Sequence, residues 1–389
     1  MSDKGSRARG AGDAPSSAAT SGAAAPGASG APEAPGTVEE PEPAESPDLW
    51  FHRRATHYVE SQILFHLNQV GIFAALAAGG PCSAAELAQR HGLDERVTQT
   101  LLEYVFAIDD LLERDAAGRY ALSRFGRKVV ERFSHPLAAP DRSGKINLFD
   151  VRVGAYAPVW ANMSRMLTGA GRYGQDFRRD GAYAEDGVRK LAMKFWPTLH
   201  GLIQELQPQQ VVEVGLTTGL LQRAGVAHPQ LALSGLDQSA AALQHAAESA
   251  AKLGVERARW LRGDVFQPEA WAKALSGGGP GLLFSLHFHE FLAAGEEQLV
   301  GWLQALRTLL PGWHVVAMEQ PLLPQADRAQ IPEHEWLYAQ SNVLIHHLIG
   351  NGRILATDTW LALGRRAGCA SVSHRPCGYL GYRAFVFQL

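Results

Sequence analysis

Cysteine is scarce in this sequence, and neither sign of charge dominates it. Only Cys82, Cys369 and Cys377 occur in 389 residues. Three thiols without C-x-x-C spacing cannot build a closed disulfide framework or a zinc ribbon, and they suit a reducing compartment. A cytoplasmic protein is therefore expected. Lys+Arg 36 against Asp+Glu 39 leaves a formal net charge of -3. A balance so near zero gives no electrostatic reason for a nucleic-acid or anionic-membrane partner. No apolar run reaches the ~18 residues that a membrane-spanning helix needs. With 46% hydrophobic residues the chain can still bury a real core. At roughly 150 residues per domain, its length suggests two or three domains.

Residues 1–48 lack large apolar side chains. Val38 is their only branched aliphatic, and no aromatic precedes Trp50. Such a segment cannot bury enough surface to offset its ordering entropy, so a disordered tail is expected. Its Ala-rich runs are too broken by Gly and Pro to serve as the apolar region of a signal peptide.

From Trp50 to Leu76, the residues Val59, Ile63, Leu64, Leu67, Val70 and Phe73 recur at helical spacing. Ser83-Ala-Ala-Glu86 is a capping-box signature, and Gly92 supplies the left-handed position that ends the helix. Asp94 caps a second helix with Val97, Leu101, Leu102, Val105 and Ile108 on its apolar face. Two short strands around Gly118 follow, completing the outline of a winged helix. A DNA-recognition helix needs basic and amide side chains, yet residues 95–110 offer only Arg96 against four carboxylates. Packing or dimerisation is the better reading. Residues 141–200 read as helical connectors rich in aromatics, among them Tyr156, Trp160, Tyr173 and Phe195. Some of these are expected to wall a pocket between domains.

The rest of the chain alternates strands and helices. Residues 210–214, 231–236, 258–261, 281–286 and 314–318 read as strands, and a last strand at Phe385–Phe387 is expected to pair antiparallel at or near the edge. This alternation implies a mostly parallel sheet covered on both faces. In such a sheet, ligands sit beyond the carboxyl ends of the strands. Glu213-Val-Gly215-Leu-Thr217-Thr-Gly219 follows the first strand, and its glycines allow close approach to a ligand. Asp237, after the second, can accept hydrogen bonds from a ribose diol. Asp264-Val265-Phe266, after the third, pairs a carboxylate for an exocyclic amine with two side chains for an adenine slot.

These motifs resemble the class I S-adenosylmethionine (SAM)-dependent methyltransferases. More closely, the sequence resembles small-molecule O-methyltransferases with an N-terminal winged-helix dimerisation domain. The resemblance spans residues from about 50 to 389. It also draws on the His289-Glu290 pair, Pro311-Gly312, Asn351-Gly352-Arg353 and Ala367-Gly368. It implies an α/β fold: a Rossmann-like doubly wound methyltransferase sheet behind an α-helical winged-helix dimerisation domain. The implied division is a tail at 1–48, the dimerisation domain at 49–140, a helical connector and pocket wall at 141–200, and the SAM-binding domain at 201–389. SAM would be held by Glu213, Gly215, Thr217, Gly219, Asp237, Asp264, Val265 and Phe266. The implied protein is a homodimer acting on a small molecule of specialised metabolism, with no nucleic-acid or membrane partner.

The departures are specific. Thr217 replaces the middle glycine of the usual loop. The acceptor-site histidine of the family maps to His289, with His287 as the competing register and Glu290 beside it. Family members orient that histidine with glutamates, but here Ile354 follows Gly352-Arg353, and Glu319 reads as a structural carboxylate. A metal-dependent branch methylates carbon next to a 2-oxo acid. By resemblance to it, His289, Glu290 and either His346 or His347 would hold a divalent Fe or Zn. Arg189 and Arg353 are candidate partners for an acceptor carboxylate. Two further readings stand beside methylation: a non-methylating reaction on the same fold, and a metabolite-sensing winged-helix regulator.

Overall fold

The computed structural model describes residues 45–133, 149–216, 218–275 and 279–389. Two compact units are distinguished, Met1–His52 and Arg53–Leu389. Of the first, the described residues open the helix Pro47–Gln69, so regular structure begins two residues before the expected Leu49. The tail expected at 1–48 lies, up to residue 44, outside the described residues, and so do Thr217, residues 134–140 of the expected dimerisation domain and 141–148 of the connector.

The start of the second unit follows its local signals. Ser83 and Glu86 form the reciprocal capping box of the helix Ala84–His91, and Gly92 ends it at φ 65°. Asp94 accepts the Val97 N–H at 2.8 Å and starts the helix Glu95–Ile108. Strands β1 (Leu112–Arg114) and β2 (Tyr120–Leu122) pair antiparallel, with Glu113 opposite Ala121. Leu67, Ile72, Leu87, Leu102, Val105 and Tyr120 make a core of their own. Several apolar residues expected inside are instead outside: Val59, Val70, Val97 and Ile108 are exposed, along with Tyr58 and Phe106. Exposed apolar groups in this number are what a subunit interface uses.

The remaining strands are β3 (Gln210–Val214), β4 (Ala232–Asp237), β5 (Arg259–Arg262), β6 (Gly281–Ser285), β7 (His314–Glu319), β8 (Ser371–Pro376) and β9 (Arg383–Gln388). They form one sheet in the order β5-β4-β3-β6-β7-β9-β8. The first five are parallel, and β9 runs antiparallel to both β7 and β8. Because side chains alternate along a strand, Val212, Leu283, Val315 and Ala317 pack on one face. Val211, Leu282, Phe284, Val316 and Met318 pack on the other. The order reverses at β3, where the chain turns from β4 to β6, so the carboxyl ends of β3, β4 and β6 open the crevice that this topology provides. Among the described residues, no single helix is long and apolar enough to cross a membrane.

Two elements wall that crevice. The long helix Gly181–Leu206 starts on Asp180, whose carboxylate accepts the Ala182 N–H at 2.9 Å. Before it, Phe149–Ala155 winds as a π-helix and carries Val151 and Arg152 toward the site. Such π-turns are rare and concentrate at functional sites.

Candidate active site

Gly215 follows β3 at φ 78°, and a Cβ added there would lie 2.9 Å from Cδ2 of His287. Both its conformation and its neighbour therefore require glycine. The next residue, Leu216, donates its N–H to Asp237 Oδ2 at 3.0 Å, while Ser239 N–H reaches Oδ1 at 2.8 Å. Asp237 is thereby fixed at the end of β4. Gly215, Asp237, Gln238, Val265, Phe266 and Phe291 line one cavity of about 230 Å³. The Phe266 and Phe291 rings lie 4.5 Å apart between centroids.

Other expected cofactor residues act on the backbone. Glu213 is buried and takes hydrogen bonds from the Thr218 hydroxyl and from Leu221 N–H, the latter at 3.1 Å. Burial pushes its carboxyl up to about 7. It closes the loop and caps the helix Leu220–Ala227, which Gly219 opens at φ 77°. The Asp264 carboxylate accepts the Phe266 N–H and the Gln267 side-chain amide, both at 3.0 Å, and so shapes the turn that presents Phe266. Neither carboxylate lines the cavity.

A second cavity, of about 110 Å³, adjoins the first and shares Arg179, His287 and Glu290 with it. His289 stands in its wall on the short helix Phe288–Phe291, which follows β6. Its Nδ1 lies 2.9 Å from Glu319 Oε2, and its backbone N–H donates to Glu319 Oε1 at 3.0 Å. Burial moves the two groups in opposite directions, His289 down to about 4 and Glu319 up to about 8, because it disfavours the charged form of each. The sequence reading of Glu319 is thus corrected. It is the partner that orients His289, and Ile354 does not leave the histidine unsupported.

Of the two histidine registers, His289 is the buried one with a carboxylate partner. His287 stands at the junction of the cavities, its Nδ1 3.8 Å from Glu290 Oε1. The His346 ring approaches His289 at 4.4 Å between centroids, and its Nδ1 is 2.5 Å from Asn351 Oδ1. Burial holds His346 down at about 3, so it too is neutral. His347 is exposed and does not line the cavity. Arg353 is exposed as well, and neither it nor Arg189 lines the cavity. The arginines that do are Arg152 and Arg179.

Among the described residues, the potential metal donors that gather within 4.8 Å of one another are His287, His289 and Glu290. His346 does not join them. The neutral imidazoles suit a cation, and Glu319 on His289 Nδ1 is the kind of carboxylate that orients metal-bound histidines. Arg179, whose charge disfavours protonation of both His287 and His289, opposes a cation at the same point.

Gly352 props the histidine from behind. It sits at φ 114°, where a Cβ would fall 2.0 Å from the His289 carbonyl oxygen. Gly352→Ala must therefore push the His289 backbone off Glu319. We expect a loss of about 1–3 kcal/mol in stability, the range for backbone strain of this kind, with activity falling further than stability does. Urea unfolding of the purified variant, beside its initial rate, checks both.

Comparison with known proteins agrees with this architecture. Residues 53–132 match the O-methyltransferase dimerisation domain. PigF, solved with SAH, is similar over 89% of this chain and 100% of its own at 17% identity, with a TM-score of 0.66. Human N-acetylserotonin methyltransferase, solved with SAM, is similar over 89% and 98% at 15% identity and a TM-score of 0.61. For the mitomycin 7-O-methyltransferase MmcR the figures are 88% and 98%, 15% and 0.60. No curated protein matches the chain in sequence. The chain shares the fold of these methyltransferases, and its residues 53–132 match the O-methyltransferase dimerisation domain.

Proposed function

We propose that the protein is a SAM-dependent O-methyltransferase acting on a small-molecule acceptor of specialised metabolism, with His289 as general base. The observation that carries this is the His289–Glu319 pair at 2.9 Å in a cavity continuous with the crevice at Gly215 and Asp237. SAM supplies an already electrophilic methyl group, so the protein's work is alignment and deprotonation. Glu319 accepts the Nδ1 proton of His289, which turns the Nε2 lone pair toward the acceptor cavity. His289 then takes the acceptor's hydroxyl proton, and the resulting oxygen lies toward His287 and Glu290, where the two cavities meet. Gly215, Asp237, Val265 and Phe266 hold the cofactor, with Glu213, Gly219 and Asp264 shaping the loops around them. The exposed apolar residues of the dimerisation domain fit a homodimer. Three free thiols fit a cytoplasmic protein. The functional regions of this reading are the dimerisation domain at 49–140, the pocket wall at 141–200 and the cofactor-binding domain at 201–389.

A second reading is favoured by the His287, His289 and Glu290 group. A divalent cation held there would polarise a 2-oxo acid for C-methylation, and its third ligand would be His287, not His346 or His347. Titrating SAM into the protein by calorimetry, before and after chelation, tests both. Micromolar binding is expected each time, and acceptor turnover that survives chelation favours the base. Turnover lost with the metal and restored on its return would establish the second reading.

Asp237 is the test of the cofactor crevice. Asp237→Ala is expected to weaken SAH binding by about 1.5–3 kcal/mol, the range for hydrogen bonds to a charged group. An unchanged Kd in the same calorimeter would place the ribose elsewhere.

A further inference from the structure

The acceptor cavity holds a cation that no carboxylate among the described residues is seen to pair with. Arg152 lines it, and among the described residues its Nε and Nη2 are buried without a hydrogen-bond partner. Its one contact of note is with the ring of Tyr338, 4.6 Å below the guanidinium carbon. Leaving a buried charged donor unpaired is expensive, and native proteins avoid it unless the group has another use. The same wall shows the contrast. Lys190, also buried, is neutralised by Asp186 at 2.7 Å.

The other groups around the cavity do not compensate Arg152. Arg179 adds a second positive charge and is already bonded to the Tyr156 hydroxyl at 3.0 Å. Glu319 is engaged by His289, and Glu290 sits half-exposed beside His287 at the junction with the cofactor crevice. Asp150, two residues from Arg152, accepts from Gln69 at 2.5 Å. His346 is linked to Asn351. Tyr338 lies against the guanidinium, and Tyr156 and Tyr382 line the same cavity. A positive group beside flat apolar walls, in about 110 Å³, is matched by a small aromatic ring bearing a carboxylate.

We infer that the acceptor of this enzyme carries a carboxylate, which Arg152 binds, with its ring between the cavity's tyrosines. This rests on the reading of the cavity as the acceptor site. It places Arg152 in substrate binding, apart from the proton transfer at His289.

The test compares 4-hydroxybenzoate with 4-hydroxybenzamide, which have the same shape but differ in charge. Both are titrated at millimolar concentration into the full-length protein, with and without saturating SAH. The acid is expected to bind about tenfold more tightly or better, as a charge-assisted pair gives. In Arg152→Gln the two should bind within about twofold of each other, and Arg152→Lys should keep part of the preference. Equal binding to the unaltered protein, no binding of the acid, or a preference that survives Arg152→Gln would each overturn the proposal. Failure of SAH to bind would instead count against the methyltransferase reading. The acid–amide comparison without SAH stands apart from that result.

Discussion

Replacing His289 with alanine is expected to lower acceptor methylation by about 10²- to 10⁴-fold, the usual contribution of a positioned general base. Affinity for SAH should stay unchanged, because His289 lines the acceptor cavity and not the crevice at Gly215 and Asp237. The split between kcat and cofactor Kd separates loss of the base from collapse of the site. Collapse is a real hazard: His289 N–H and Nδ1 both engage Glu319, so alanine strips the buried carboxylate of one of its donors. His289→Gln keeps a side chain that can hydrogen-bond but cannot take a proton near neutrality. It should be nearly as inactive while melting closer to the parent protein. Turnover retained in both variants would remove His289 from the chemistry and bring His287, at the junction of the cavities, forward in its place.

Most of the parallel strands were legible as short buried runs, while β5, exposed at both ends, was legible only from its place in the strand–helix alternation. Gln210–Val214 and Gly281–Ser285 have every residue buried, and their ends were placed to within a residue. Strand β8 was not foreseen. Ser371–Pro376 is an edge strand of exposed and half-buried residues ending in proline, with neither a buried run nor clean alternation. The loops at the crevice announced themselves by glycine and acid at strand ends, but residue type alone could not say which carboxylates face the cavity. Asp237 lines the crevice, whereas Glu213 and Asp264 serve nearby N–H groups. The cavity around His289 was least legible. Glu319 meets His289 only because β6 and β7 are neighbours, an adjacency set by strand order over a separation of 30 residues. Arg152 and Arg179 come from a π-helix and from the loop before a long helix, where no periodic pattern points a side chain anywhere.

The pH dependence of turnover should carry the signature of the His289–Glu319 pair. Burial raises Glu319 to about 8 and lowers His289 to about 4, so near neutrality the pair is uncharged. In that state the carboxyl proton lies between Glu319 and Nδ1. The remaining ring proton then sits on Nε2, where it blocks proton uptake from an acceptor. When the carboxyl ionises, Nδ1–H donates to Glu319 and the Nε2 lone pair is exposed. The raised group thus switches the base on as pH rises through about 8. Below that point kcat should fall about tenfold per pH unit. Glu319→Gln cannot ionise, so its profile should lose this limb, and its kcat should drop by about 10²-fold or more, as when an orienting carboxylate is neutralised. Acceptor KM should change little, since Glu319 acts through His289. Initial rates from about pH 6 to about pH 9, at saturating SAM, measure it. A rate in the parent protein that is flat across this range, or one that falls as pH rises, would show that Glu319 is ionised throughout or that another group carries the proton.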